Sequence, residues 1–88
     1  AAELGLANYA VPADQVLDKA WELAREVASC APIAVRMTKR SLYEHTDYDA
    51  VTAAYHEAQL QSRTIETEDQ REGIAALLEK RKPVFRGR

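Results

Sequence analysis

The sequence predicts an all-α chain, a short extended lead-in followed by four helices, and three observations predict it. Only three glycines and three prolines interrupt 88 residues, while the helix formers Ala, Leu, Glu, Lys, Arg and Gln are abundant. Apolar residues recur at steps of three and four rather than two. Capping and stop signals fall at the ends of those periodic stretches.

The lead-in covers residues 1–12. LGLANYAVP is too short for a helix, and Pro12 restricts Val11 to extended backbone, so Leu6 to Val11 reads as extended or strand-like. Residues 13–88 then form one helical region.

From Ala13 the period changes. Val16, Leu17, Ala20, Trp21, Leu23, Ala24, Val27 and Ala28 recur at helical steps, with Asp14, Asp18, Glu22 and Arg25 between them. A tight corner follows near Cys30 and Ala31. Pro32 then suits the first turn of a second helix, where its missing N–H breaks no bond, and Ile33, Met37 and Leu42 are expected to face inward.

Asp47 or Asp49 caps a third helix ending near Ile65. Its apolar side is read as Val51, Ala54, Tyr55, Ala58 and Ser62, with Ala53, His56 and Gln59 elsewhere. Thr67 and Gln70 have capping-box spacing, and Glu68 and Asp69 place negative charge where the helix dipole is positive. A fourth helix, roughly Glu68 to Arg81, carries a narrow stripe of Ile74, Leu77 and Leu78 before Pro83 limits it. The tail VFRGR is expected to lie extended.

Of the 41 residues in the hydrophobic class, 16 are alanine and only 18 are Leu, Ile, Val or Phe. A single core built from so few large side chains is thin, so the helices are expected to lean on other surfaces. No stretch has the roughly 20 consecutive apolar residues of a membrane span, and nothing resembles a signal peptide. The single cysteine, Cys30, forms no internal disulfide and fits a reducing compartment, which favours a cytoplasmic location or an organelle matrix.

Several chemistries are disfavoured. His45 and His56 are separated by eleven positions on different predicted helices, and Cys30 has no cysteine partner, so no metal site is expected. Nothing local brings Cys30, Ser29 or Ser41 to His45 as an activated nucleophile. Gly5, Gly73 and Gly87 are too scattered for a phosphate loop. Glu66, Glu68, Asp69 and Glu72 read as capping and solvated carboxylates rather than an acid–base pair. Trp21, Tyr43, Tyr48 and Tyr55 read as structural.

Charge is uneven. The net charge is −2, yet the last nine residues, KRKPVFRGR, hold Lys80, Arg81, Lys82, Arg86 and Arg88 with no acid. That run either binds an anion, phosphate above all, or simply complements a helix C-terminus.

Three segments, AAELGLANYAVP, LAREVASCAPIAVRMTKRSL and ETEDQREGIAALLEKRKPVF, together resemble the C-terminal region of the enoyl-CoA hydratase/isomerase family, the crotonases. The first is similar to the family's "E-x-G-L-V-N" approach, the second to its "A-P-x-A-V-R-x-T-K-R" corner at Ala31 to Arg40. The third resembles the closing "E-D-x-x-E-G-x-x-A-F-x-E-K-R-x-P-x-F" pattern, here Glu68 to Phe85, with Leu77 in place of the aromatic.

The resemblance implies the helical C-terminal region of a crotonase fold, aligned with only the final third of a longer enzyme. The absence of an initiator methionine before Ala1 agrees with a fragment. It implies an enoyl-CoA hydratase or isomerase whose two catalytic glutamates and oxyanion-stabilising N–H pair lie upstream, so these 88 residues contribute no catalytic residue and are expected to be inactive alone. It further implies trimer or hexamer contacts, a wall of the acyl-CoA pocket, and CoA binding by Lys80 through phosphate and by Leu77 through apolar contact. No cofactor is implied beyond CoA as part of the substrate. A rival reading is a free-standing helical oligomerisation module whose basic tail binds anions or RNA.

Overall fold

A computed structural model describes residues 1–88 and contains four α-helices and no strand: α1 (Val16–Ala28), α2 (Pro32–Glu44), α3 (Ala50–Ile65) and α4 (Glu68–Glu79). Short 3₁₀ turns, Ala13–Gln15 and His45–Asp47, precede α1 and follow α2.

The lead-in forms no strand. Ala1 to Gly5 form a turn closed by the Gly5 and Leu6 N–H groups on the carbonyls of Ala2 and Ala1, with Gly5 at φ 75°. Beyond it, residues 6–12 have no regular secondary structure. No strand forms because the chain offers no second strand to pair with. The Lys19 ammonium covers the Tyr9 ring at 4.5 Å, which holds the lead-in against α1.

The helix boundaries follow the local chemistry. Ala31 is the extended N-cap before Pro32, and the Asp49 carboxylate accepts the Thr52 N–H at 2.7 Å. That bond holds the Asp49 carboxyl below its ordinary range. Thr67 Oγ1 accepts the Gln70 N–H at 3.1 Å, the first half of a capping box. The Thr67 N–H itself bonds the Thr64 carbonyl, which closes the α3–α4 corner.

α4 ends two residues before the predicted limit. Lys80 adopts φ 55°, ψ 40°, and the N–H groups of Arg81 and Lys80 bond the carbonyls of Ala76 and Leu77 at 3.0 and 3.3 Å. This is a Schellman turn, with lysine where glycine is usual. Pro83 lies beyond the stop and does not cause it.

The inward faces also differ from the apolar stripes. Only four of 88 residues are fully buried: Ser41, Leu60, Asp69 and Ala76. α2 packs chiefly on α3, and the α3 residues turned inward are Ala53, His56, Leu60 and Thr64, while Val51 and Tyr55 point outward. Ile33 and Met37 are half-buried, but Leu42 is 73% exposed, contrary to expectation. On α4 the inward row is Asp69, Glu72, Gly73 and Ala76, and Ile74, Leu77 and Leu78 are exposed. The Cα radius of gyration is 16.4 Å, against about 12 Å for a compact domain of this length. The helices form an open layer that leaves large apolar side chains of α1, α3 and α4 exposed.

Candidate functional site

The inward row of α4 holds the tail. The buried Asp69 carboxylate accepts the N–H groups of Arg86 and Gly87 at 2.7 and 2.8 Å, and the Asp69 N–H donates to the Arg88 carbonyl at 2.9 Å. That carbonyl satisfies one of the backbone donors a helix N-terminus leaves open. Phe85 packs over Gly73, its ring carbons 3.6 and 3.9 Å from where a Cβ would sit. Gly87, at φ 74°, lies against Pro32, so the tail touches α2 as well. It folds back over α4, and its cleft is lined by Glu68, Asp69, Glu72, Arg81, Val84, Arg86 and Arg88.

Glu68, Asp69 and Glu72 therefore bind the tail. Arg81 Nη1 and Nη2 donate to the two carboxylate oxygens of Glu72 at 2.6 and 3.0 Å, and its Nε donates to Glu79 at 2.5 Å. Glu72 also accepts the Val84 N–H at 2.8 Å. The Arg81 guanidinium, then the Val84 N–H, hold the Glu72 carboxyl down at about 2. Arg88 pairs with Glu68 at 2.9 Å.

This pairing sorts the basic run. Arg81 and Arg88 are neutralised inside the chain, whereas Lys80, Lys82 and Arg86 enter no ion pair. Lys80 stands exposed at the end of α4 on a left-handed backbone, a conformation that costs a non-glycine residue about 1–2 kcal/mol. Leu77 is 78% exposed on the same last turn, so both residues singled out for ligand contact are available to a ligand.

A second cluster was not legible as such in the sequence. Ser41 Oγ lies 3.1 Å from His45 Nδ1 and donates to Glu57 at 2.5 Å. His45 Nε2 meets His56 Nδ1 at 2.7 Å, and His56 Nε2 lies 3.0 Å from Glu44. The expectation that Ser41 and His56 stay apart from His45 is thus corrected. Ser41 and His45 are four apart on one helical face, the spacing that brings side chains together, and α3 packs His56 onto the end of α2. The single Ser41 proton goes to Glu57, and Ser41 is buried between α2 and α3. No three His, Cys, Asp or Glu side chains converge as metal ligands. Ser29 Oγ donates to the Glu26 carbonyl, and Cys30 is exposed beside the same carbonyl.

Lys80, an unpaired cation on a left-handed turn, lies in the closing E-K-R-x-P-x-F segment. The profile of the enoyl-CoA hydratase/isomerase family matches residues 1–88 in full. The chain belongs to the enoyl-CoA hydratase/isomerase family.

Among curated members of this family, the probable enoyl-CoA hydratase 2, mitochondrial, of Arabidopsis thaliana is 33% identical over 87 residues, which cover 99% of this chain and 29% of that protein. The 2,3-dehydroadipyl-CoA hydratase of Escherichia coli K12 is 35% identical over 88 residues, 100% of this chain and 34% of that one. The crystal structure of an enoyl-CoA hydratase from Bacillus anthracis superposes with a TM-score of 0.95 at 37% identity, covering 99% of this chain and 34% of its own. The chain thus spans about a third of the length of the relatives it matches. Family members act on acyl-CoA substrates, and no helix here is long and apolar enough to cross a membrane.

Proposed function

We propose that this chain is the C-terminal helical part of an enoyl-CoA hydratase, an enzyme that reversibly adds water to trans-2-enoyl-CoA to give 3-hydroxyacyl-CoA. Residues 1–12 lead in from the catalytic body, and residues 13–88 form the layer that covers the acyl-CoA pocket and makes trimer or hexamer contacts. Proton transfer belongs to glutamates outside these residues. The substrate carries its own CoA, and no other cofactor is required.

The observation that carries this reading is the outward direction of large apolar side chains on α1, α3 and α4. Val16, Leu17 and Trp21 on α1, Val51 and Tyr55 on α3, and Ile74, Leu77 and Leu78 on α4 are all exposed. Apolar surface on that scale marks an interface. Hydratase relatives about three times this chain's length supply a body to cover it.

Within this reading Lys80 binds a CoA phosphate and Leu77 touches the adenine side. The test is hydration of a short trans-2-enoyl-CoA by the complete protein and its Lys80→Ala variant. KM is expected to rise roughly tenfold with kcat nearly unchanged, since a remote phosphate contact is shared by ground and transition states. An unchanged KM removes Lys80 from the site. A second reading, an enoyl-CoA isomerase, rests on the family name covering both reactions. Offering the complete protein a 3-enoyl-CoA separates them.

A further inference from the structure

We propose that Arg81 and Glu72 are positioning residues for Lys80, together holding its turn left-handed and withdrawing the neighbouring carboxylate that would quench its charge. The inference rests on the reading of Lys80 as a CoA phosphate contact.

The geometry of the turn carries it. Lysine occupies a left-handed site that glycine enters without steric penalty, so the surroundings must over-determine the conformation. They do so from both sides. Arg81, immediately after Lys80, bonds the Ala76 carbonyl through its N–H and both oxygens of Glu72 through its fork. Val84, on the far side of Pro83, donates its N–H to the same Glu72. One carboxylate on the inward face of α4 therefore fixes both limbs of the loop from Arg81 to Val84, and with them the direction in which Lys80 leaves the helix.

The second effect is electrostatic. Glu79 is the immediate neighbour of Lys80, and its carboxylate is taken by Arg81 Nε. One guanidinium thus engages three oxygens on two carboxylates, and Lys80 makes no ion pair. A lysine at position 81 cannot do this, because an ammonium is a point charge without a planar fork. Arg81 itself is poorly suited to the phosphate role, since four of its five N–H donors are already engaged.

The experiment measures binding of CoA and of 3′-dephospho-CoA to the complete protein by calorimetry, with hydration kinetics alongside. Lys80→Ala is expected to weaken CoA roughly tenfold and to abolish the preference for CoA over its dephospho form. Arg81→Lys and Glu72→Gln are expected to erode the same preference severalfold and to raise KM without lowering kcat. The double variant Lys80→Ala/Arg81→Lys should be no weaker than Lys80→Ala alone. Glu79→Gln in the Arg81→Lys background should recover part of the loss by removing the competing carboxylate, which a merely unfolded turn would not allow. If Lys80→Ala changes nothing, the phosphate reading itself fails. If Lys80→Ala acts while Arg81→Lys and Glu72→Gln do not, the reading stands and the positioning role is overturned. Additive losses in the double variant overturn it as well, by placing Arg81 on the ligand.

Discussion

His45 Nε2 and His56 Nδ1 stand 2.7 Å apart and join the end of α2 to the middle of α3. Ser41 gives its one proton to Glu57, so its oxygen accepts from His45 Nδ1, and Glu44 takes the outer nitrogen of His56. The Tyr48 ring closes over both imidazoles at centroid distances of 5.6 Å. Apart from Leu60, α2 and α3 share little buried apolar surface, so this chain of polar contacts is a main tie between them. A double-mutant cycle of His45→Ala and His56→Ala is therefore expected to give a coupling energy of about 1 kcal/mol in urea denaturation of the complete protein. Simple additivity would mean that the rings contribute separately.

The tail predicts a larger effect at one residue. Asp69→Ala leaves the Arg86 and Gly87 N–H groups without their acceptor and is expected to cost about 1–3 kcal/mol. Asp69→Asn keeps the volume but retains one accepting oxygen, and should fall between Asp69→Ala and the parent. Trypsin cleavage at the Arg86–Gly87 bond reads the release directly. Equal cleavage in Asp69→Ala and the parent would mean that the tail is held elsewhere.

How much of this was legible in the sequence depended on the kind of signal. Helix starts were, because Asp49, Thr67 and Pro32 act on backbone groups within three residues of themselves. The left-handed stop at Lys80 was not, because lysine carries no mark of that conformation and the residue holding it, Glu72, lies eight positions back. The inward faces were misread for a different reason. Apolar periodicity identifies the face that seeks burial, and in α3 and α4 that face points away from the chain. The polar faces carrying His56, Asp69 and Glu72 are the ones used internally. Of the extended or strand-like lead-in, the strand does not form, because a strand needs a partner that local pattern cannot supply. Lys80 and Leu77 were singled out as CoA contacts only through family resemblance, while the composition showed the cations without showing that Arg81 and Arg88 are already paired.

Acid should loosen the turn only at low pH, where the Glu72 carboxylate finally takes up a proton. The Arg81 guanidinium, helped by the Val84 N–H, lowers the Glu72 carboxyl from 4.5 to about 2. A folded-state pKa below the unfolded one means that the folded state binds fewer protons through that window, so the stabilisation is complete above about 4.5 and is lost as pH falls through about 2. Arg81 stays charged throughout, its own pKa raised by the two carboxylates, and adds no slope. The Val84 amide resonance is expected to titrate with a midpoint near 2 and to lose that transition in Glu72→Gln. A midpoint at the ordinary carboxylate value would count against the pair.

Lys80→Gly separates the turn from the charge. Glycine at the residue after the helix cap removes the left-handed penalty, while its greater freedom in the unfolded chain offsets part of the gain. The net expectation is a stabilisation of about 0.5–1 kcal/mol, seen as a raised melting temperature of the complete protein. CoA affinity should fall at the same time, as far as in Lys80→Ala, because the ammonium is lost in both. Stability and binding thus move in opposite directions at one position, the pattern expected where a strained residue is kept for its side chain. If Lys80→Gly fails to raise the melting temperature, the left-handed lysine is not strained, and the clamp from Glu72 and Arg81 has less to hold.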